Sequence, residues 1–431
     1  MKTKVKYMDY DAVMALPRPK HRLPMRPNIF FRTLIRTVAI PDLLASRFTY
    51  EEHRMQQIGS QPCLIVMNHS CFLDLEAAYR IFYPKPLCIV CTSDGFVGKE
   101  WLMRRIGCIP TQKFVTDIRL IQDMTHALKK LKANVLLYPE ASYSFDGTAT
   151  PLPRKMGVLL KKLDVPVVMV RTEGAFSRNP LYNCLQKRKV HVHAHVSCLF
   201  TRDEIKQLSV QELSDGLDEA FRFDNFAWQQ EKQLEINESF RADGLDRVLY
   251  KCPHCGAEGQ TRGQGTGLTC TACGKHYELT PLGRIEASDG VTEFPHIPDW
   301  FAWEREQVRQ ELLDNTYRLD TEVEIAMMVD YKAIYKVGEG RLTHDRSGFT
   351  LTGCGGRLHY TQTPQSCYGL YADYYWYELG DIICIGNNDR LYYCFPKGQV
   401  PVAKTRLAAE ELYKLYKARA LQPAPAAAPV L

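Results

Sequence analysis

No stretch of the 431-residue chain stays apolar for the roughly 18 residues that a membrane-crossing helix needs, so a span is not expected. The N-terminus carries Lys2, Lys4 and Lys6 but has no apolar core behind them, so it does not read as a secretory signal. Acids are scarce at this end. Residues 1–50 hold ten Lys/Arg against three acids, an excess larger than the net charge of +6 for the whole chain. An anionic partner for the N-terminal end is therefore expected. Cysteine, by contrast, is abundant. Fifteen, an odd number, in a long chain without an export signal fit buried thiols and a metal site in a reducing cytoplasm better than a disulfide framework. The length exceeds one ordinary core, and 45% hydrophobic with 24% charged residues is the composition of a folded chain of about two to three domains.

The stretch Leu64-Ile-Val-Met-Asn-His-Ser-Cys-Phe-Leu-Asp74 organises the chain. Leu64 to Met67 read as a buried strand that stops at Asn68 and His69. If a helix opens near Ser70, His69 sits at the strand's carboxyl end, where open α/β sheets bind ligands. Asp74, about one turn into that helix, can then reach back to one imidazole nitrogen, fix the tautomer and leave the other nitrogen free to take a proton. By spacing alone, a satisfied structural His–Asp pair is the commoner explanation.

Three further blocks change the weighting. Asn68-His69-x4-Asp74 after an apolar strand resembles the first motif of the glycerolipid acyltransferase family, the lysophosphatidic acid acyltransferase type. Gly107-Cys-Ile-Pro-Thr-Gln-Lys113 resembles its Gly-x-Ile-Pro-x-x-Arg block, with Lys113 in the basic slot. Leu136-Leu-Tyr-Pro-Glu-Ala-Ser-Tyr-Ser144 resembles its apolar-Pro-Glu-Gly-Thr-Arg-Ser block, and Val165-Pro-Val-Val-Met-Val170 its closing strand. The resemblance covers about residues 60 to 200. It implies acyl transfer from a thioester, acyl-CoA or acyl carrier protein, to a glycerolipid hydroxyl such as that of 1-acyl-glycerol-3-phosphate. His69 would be the general base and Asp74 its orienting partner. The acceptor site would involve Lys113, Glu140, Ser142, Arg154 and Lys155, with Arg104 and Arg105 as further candidates for its phosphate. The third block departs from the family: Ala141-Ser142-Tyr143 stands for Gly-Thr-Arg, so an arginine is lost. Lysine in the second block keeps charge but not a bidentate fork on phosphate. The lysophosphatidic acid assignment weakens accordingly, and another lysolipid becomes a candidate acceptor.

The remainder falls into segments. Residues 1–50 read as a basic arm, extended to about 27 and then an amphipathic helix that Pro41 ends or kinks. Its apolar side suits either lipid, with Arg32 and Arg36 on headgroups, or the domain's own core. Residues 51–247 alternate strands (63–67, 87–91, 134–138, 165–170, 189–196) with helices such as 115–132, giving an α/β domain with a mixed sheet flanked by helices. His191, His193 and His195 share one strand face. At about 7 Å per two residues they are expected to lie too far apart for one ion. Cys252-x2-Cys255 and Cys270-x2-Cys273, each followed by glycine, spell a tetrahedral four-thiolate site in a small ribbon, residues 248–280. Zinc is the expected ion, with iron a lesser alternative. A polar connector (281–320) leads to a β-rich domain (321–419) with the outline of a pleckstrin-homology-like barrel and a C-terminal helix. Its aromatics Tyr371, Tyr374, Tyr375, Trp376 and Tyr377 read as core, or as a headgroup or sugar site. The tail, 420–431, is expected to be disordered.

Taken together, these readings imply a cytoplasmic enzyme, peripheral on the inner face of a membrane. Its partners would be a lysophospholipid, an acyl thioester and an anionic lipid surface. Two other classes stay open: a non-catalytic lipid-binding or scaffold protein on the same fold, and a zinc-ribbon nucleic-acid binder. The second is disfavoured because Arg262 is the only base between the two cysteine pairs.

Overall fold

The computed structural model describes residues 3–114, 117–387 and 389–418. The first region is built on a seven-stranded sheet in the order Thr49–His53, His193–Phe200, Val167–Glu173, Leu64–Met67, Asn134–Leu137, Leu87–Thr92, Cys108–Thr111. Every neighbouring pair is parallel except Val167–Glu173 with His193–Phe200, so the sheet is mixed. The central strands are aliphatic on both faces because both faces are covered. Helices Ile118–Lys129, Met156–Leu163 and Val210–Phe221 bury one face around Val66, Val135 and Val167. Helix Leu73–Phe82 buries the other around Ile65, Met67 and Val168.

After helices Arg202–Gln207, Val210–Phe221 and Asn225–Glu231 comes a four-stranded ribbon sheet, Thr261–Gln264, Gly267–Cys270, His276–Leu279 and Ile285–Ala287. The connector is helical over Ile297–Leu313. The C-terminal region is an eight-stranded sheet capped by helix Val402–Lys417. Its first strand, Leu319–Met328, lies between Ile334–Asp345 and the last strand, Leu391–Pro396. The outline of strands followed by one helix is as expected. Among the described residues, however, the outermost strands, Leu358–Gln362 and Tyr371–Trp376, do not pair to close a barrel. Two expected strands, 331–337 and 340–342, are one long strand, Ile334–Asp345. It runs through Gly338, whose φ of +140° accommodates a register shift against Ile325 and Ala326. The expected tail, 420–431, and Asn388 of the expected hairpin turn lie outside the described residues.

The N-terminal arm is not free. Val5–Tyr7 pairs in parallel with Ile334–Lys336 of the C-terminal sheet, and Tyr10 and Val13 enter the core shared by that sheet and the ribbon. Arg357 donates to both Asp9 and Asp11. The arm then crosses to the seven-stranded sheet, where Pro27 lies against Gly107. A Cβ at Gly107 would come within 2.9 Å of Pro27, and its φ of +91° also favours glycine.

The following helix, Ile29–Ala45, continues through Pro41 instead of ending there. It is held to the domain by buried Ala39 and Leu43, and by two arginines on its inner side. Arg32 donates to Pro84 O, and Arg36 lies 4.4 Å from the centre of the Tyr83 ring. The arginines expected to face headgroups face the protein. Phe30, Leu34 and Val38, one helical turn apart, face outward instead. No helix among the described residues is long and apolar enough to cross a membrane.

Candidate active site

The site begins where the strand Leu64–Met67 runs out. Asn68 ends it by using its side chain as a substitute backbone. Its Oδ1 accepts from Thr172 N at 2.8 Å, and its Nδ2 donates to Thr172 O at 3.0 Å. The pairing with the neighbouring strand is thus extended while the main chain of residues 68–69 turns away. His69 follows at the carboxyl end of the sheet, its side chain 21% exposed.

Helix Leu73–Phe82 then starts, and Asp74 in its first turn reaches back. Asp74 Oδ2 accepts from Ser70 N (2.7 Å), Cys71 N (3.0 Å) and His69 Nδ1 (3.2 Å). Its Oδ1 lies 3.1 Å from Thr172 Oγ1. Free amides at a helix start favour an acceptor there, so the four-residue gap between His69 and Asp74 is the distance from strand end to first helical turn. With Nδ1 engaged, Nε2 makes no hydrogen bond among the described residues. Burial holds the imidazole below the ordinary histidine value of 6.5 and outweighs the pull of Asp74 in the other direction.

Glu140 lies beneath this corner. Its Oε2 accepts from His69 N at 2.9 Å and its Oε1 from Thr150 N at 2.6 Å. Burial pushes its carboxyl up to about 7 against the pull of those two amides. Glu140 therefore braces the loop that carries His69, with both oxygens occupied by backbone. Ser144 N donates to His69 O at 3.0 Å, a second tie between the two loops. Tyr138 stacks on the imidazole, ring centres 3.8 Å apart and planes 21° apart. Tyr143 meets it edge-on at 4.4 Å, in the position where the resembled block has arginine. Ala141 holds a φ of +60°, the left-handed shape that the glycine of that block adopts without strain. Two hydroxyls here, Tyr138 Oη and Ser142 Oγ, are buried without a partner among the described residues.

Lys113 is roofed by the C-terminal sheet. Its Nζ lies 4.0 Å from the centre of the Tyr371 ring, a cation–π contact between the two large sheets. Tyr371 in turn donates to Asp94 Oδ2 at 2.8 Å and accepts from Trp376 Nε1 at 2.8 Å. Burial lowers the Lys113 ammonium from its ordinary 10.5, while Asp373 and Asp94 pull it back up. Of the five expected aromatics, Tyr371, Tyr374 and Trp376 are buried, and Tyr375 and Tyr377 are partly exposed. Tyr371 and Tyr377 bond Asp94 and Tyr374 packs on Phe145, contacts with the loops around His69's sheet that sequence spacing does not signal. Arg406 of the C-terminal helix, which the motifs did not flag, is also buried. It lies 4.2 Å from the Phe145 ring centre with Nε on Glu410 at 3.0 Å, and its Nη1 has no partner.

The remaining candidate cations are not gathered here. Arg154 and Lys155 are exposed at the start of helix Met156–Leu163, Arg154 over the Tyr413 ring at 5.7 Å. Arg104 bonds Glu100, and Arg105 lies over Trp101.

Among the cysteines, Cys252 and Cys273 Sγ lie 3.9 Å apart, and Cys255 and Cys270 Sγ 3.8 Å. These distances match the edge of about 3.8 Å of a tetrahedron with metal–sulfur bonds near 2.3 Å. They are far longer than a disulfide. Gly256 and Gly274, at φ +75° and +77°, turn the two knuckles. The four thiols therefore fit a tetrahedral ion.

On the catalytic sheet, the rings of His193 and His195 lie 4.8 Å apart, closer than strand rise alone suggests. His195 is already held by Glu51 (2.6 Å) and Glu173 (3.1 Å). Ligand atoms of Glu51, His193 and His195 all lie within 4.8 Å of one another, but both ring nitrogens of His195 are already taken by carboxylates. Hydrogen bonding accounts for this cluster.

Thr172→Val keeps the backbone pairing with Asn68 and removes one donor from a fully buried carboxylate. The expected loss is about 1–3 kcal/mol in a denaturant titration. No measurable loss would mean that Asp74 does not depend on that hydroxyl.

Residues 47–172 match the Acyltransferase family, a stretch that contains His69, Asp74, Lys113, Glu140 and Thr172. Human 1-acyl-sn-glycerol-3-phosphate acyltransferase beta (Homo sapiens) is 25% identical over 127 residues, 29% of this chain and 45% of that protein. The chain thus spans under half the length of that relative. The 1-acyl-sn-glycerophosphate (LPA) acyltransferase PlsC of Thermotoga maritima aligns over 42% of this chain and 79% of its own, at 14% identity and a TM-score of 0.31. Residues 47–172 are thus the part of the chain that is similar to the acyltransferase family.

Proposed function

We propose that the chain transfers a fatty acyl group from a thioester, acyl-CoA or acyl carrier protein, to a hydroxyl of a lysophospholipid, with His69 as general base. One observation carries the reading. His69 Nδ1 is committed to a buried, fully engaged Asp74, its Nε2 is unbonded, and burial keeps the ring neutral near pH 7. An alcohol is a weak nucleophile at that pH, so its proton must leave as it attacks. Nε2 takes that proton while the acceptor oxygen bonds to the thioester carbonyl carbon. The tetrahedral intermediate then collapses, the carbon–sulfur bond breaks, and the imidazolium returns the proton to the departing thiolate. Asp74 orients the ring and stabilises its charged form. Lys113 and Arg406 are the cations nearest this chemistry, but Asp94, Asp373 and Tyr143 share the space. That balance favours a glycerolipid acceptor other than a bare phosphate monoester.

The test is thioester consumption with long-chain acyl-CoA, then acyl carrier protein, across a panel of lysolipids that includes 1-acyl-glycerol-3-phosphate. His69→Ala is expected to lose about 10²–10⁴-fold in rate. Equal turnover in both proteins would remove His69 from the mechanism. In the wild type, kcat/KM falls on the acid side as the base is protonated. Because the His69 pKa is lowered, the midpoint of that fall is expected below pH 6.5. A midpoint above it would mean that Asp74, not burial, dominates.

The helix Ile29–Ala45 is proposed to seat the enzyme on an anionic membrane surface. Phe30, Leu34 and Val38 are exposed, and Trp101 beside Phe31 extends the apolar face. Arg18, Lys20 and Arg26 of the preceding arm, all exposed, would meet headgroups. Co-sedimentation with anionic vesicles is expected for the wild type and lost in a Phe30→Ser, Leu34→Ser, Val38→Ser triple variant. Equal sedimentation of both would place the contact elsewhere.

The four cysteines are proposed to hold structural zinc. Elemental analysis is expected to find one zinc per chain, absent in Cys270→Ser, with a lowered Tm because metal binding and folding are coupled. Full stability of the metal-free protein would leave the ribbon without need of an ion.

A further inference from the structure

The geometry around Tyr138 assigns it a direct part in the reaction; this inference rests on the acyl transfer proposed above. Tyr138 ends the strand Asn134–Leu137, next in the sheet to the strand that delivers His69. Its ring stacks on the imidazole at 3.8 Å. Stacking explains the ring but not the hydroxyl, since phenylalanine would fill the same place. The hydroxyl is buried, and it has no partner among the described residues. A buried polar group without a hydrogen bond works against folding, and native proteins keep few of them. One held against a catalytic histidine is an unused donor at the reaction centre. Burial also raises the phenol well above its ordinary value of 10, so it stays an O–H at working pH.

We propose that Tyr138 Oη donates a hydrogen bond to the oxyanion of the tetrahedral intermediate. Within the step described above, the thioester carbonyl oxygen is the atom that passes from neutral to anionic. A donor fixed beside it bonds more strongly in the transition state than in the ground state, which is the condition for raising kcat rather than only tightening binding. The tyrosine gives up no proton. The acceptor's proton goes to His69 Nε2 and then to the leaving thiolate, so the balance of the step is unchanged.

The test is Tyr138→Phe in the full chain, beside His69→Ala, with product formation, its pH profile and Tm measured for each. Removing one such donor is expected to lower kcat about 10²–10³-fold with little change in KM. The ring stays on His69, so the acid midpoint stays where it was. Tm is expected to hold or rise, because an unpartnered hydroxyl has gone. A kcat within about twofold of wild type, while His69→Ala is inactive, would overturn the assignment and leave Tyr138 as a spacer. A lower kcat with a lower Tm and a shifted acid midpoint would also overturn it, since that pattern marks a packing role. Undiminished turnover in His69→Ala would instead strike the underlying general-base reading.

Discussion

A carboxylate with no access to water must find its partners inside the protein, and Asp74 finds them at the meeting point of three elements. Two of its donors are the amides of Ser70 and Cys71 in the turn that leads into its helix, one is the histidine at the end of the central strand, and one is a threonine of the next strand. Removing a charge from water costs several kcal/mol after relaxation, and only well-placed donors offset that. Strand end, helix start and neighbouring strand are therefore fixed relative to one another by one side chain. The His69–Asp74 pair is a corner of the fold as well as a candidate catalytic unit. The precision of the site is thus inherited from the rigid central strands and not from a loop.

Around that corner the chain has moved charge away from where the resembled motifs put it. Tyrosine stands where an arginine would be, and it packs against the imidazole. The remaining basic residue, Lys113, is covered by a tyrosine ring from the far end of the chain and faced by acids from both regions. The C-terminal sheet is in this way a wall of the site and not an appendage. Phe145 beside the catalytic loop belongs to the same buried cluster as the ribbon's Tyr277 and the C-terminal sheet's Tyr374. Ribbon, sheet and catalytic loop share one core.

The parts legible in the sequence were those in which neighbours along the chain are also neighbours in space. The strand Leu64–Met67 is aliphatic throughout, the His69–Asp74 spacing spans strand end to first helical turn, and each Cys-x2-Cys knuckle is closed by its own glycine. What was not legible depends on distant partners. Val5–Tyr7 is three residues of mixed character, a strand only because Ile334–Lys336 lies beside it. Arg32 and Arg36 alternate with apolar residues as a lipid-facing helix would require. Yet Tyr83 and Pro84 draw them inward and leave the apolar residues outside. Pro41 ends no helix, because tertiary contacts at Ala39 and Leu43 hold both of its sides. Tyr138 read as one more strand residue, and its importance lies in a stacking partner and a missing hydrogen bond, neither of which spacing encodes.

The parallel pairing of Val5–Tyr7 with Ile334–Lys336 also orders events in time. A ribosome adds about 5–20 residues per second, and domains fold as they emerge. The first strand of this chain leaves the ribosome about 330 residues ahead of its partner, a wait on the order of 20–60 seconds. The catalytic sheet, whose strands all lie within Thr49–Phe200, can be complete well before that. The roof over Lys113 and the seat for the N-terminal strand arrive together, with the last hundred residues. Closure of the site thus waits on residues made long after the sheet beneath it, and a nascent chain stalled before Ile334 would carry its histidine in place beneath an unfinished wall.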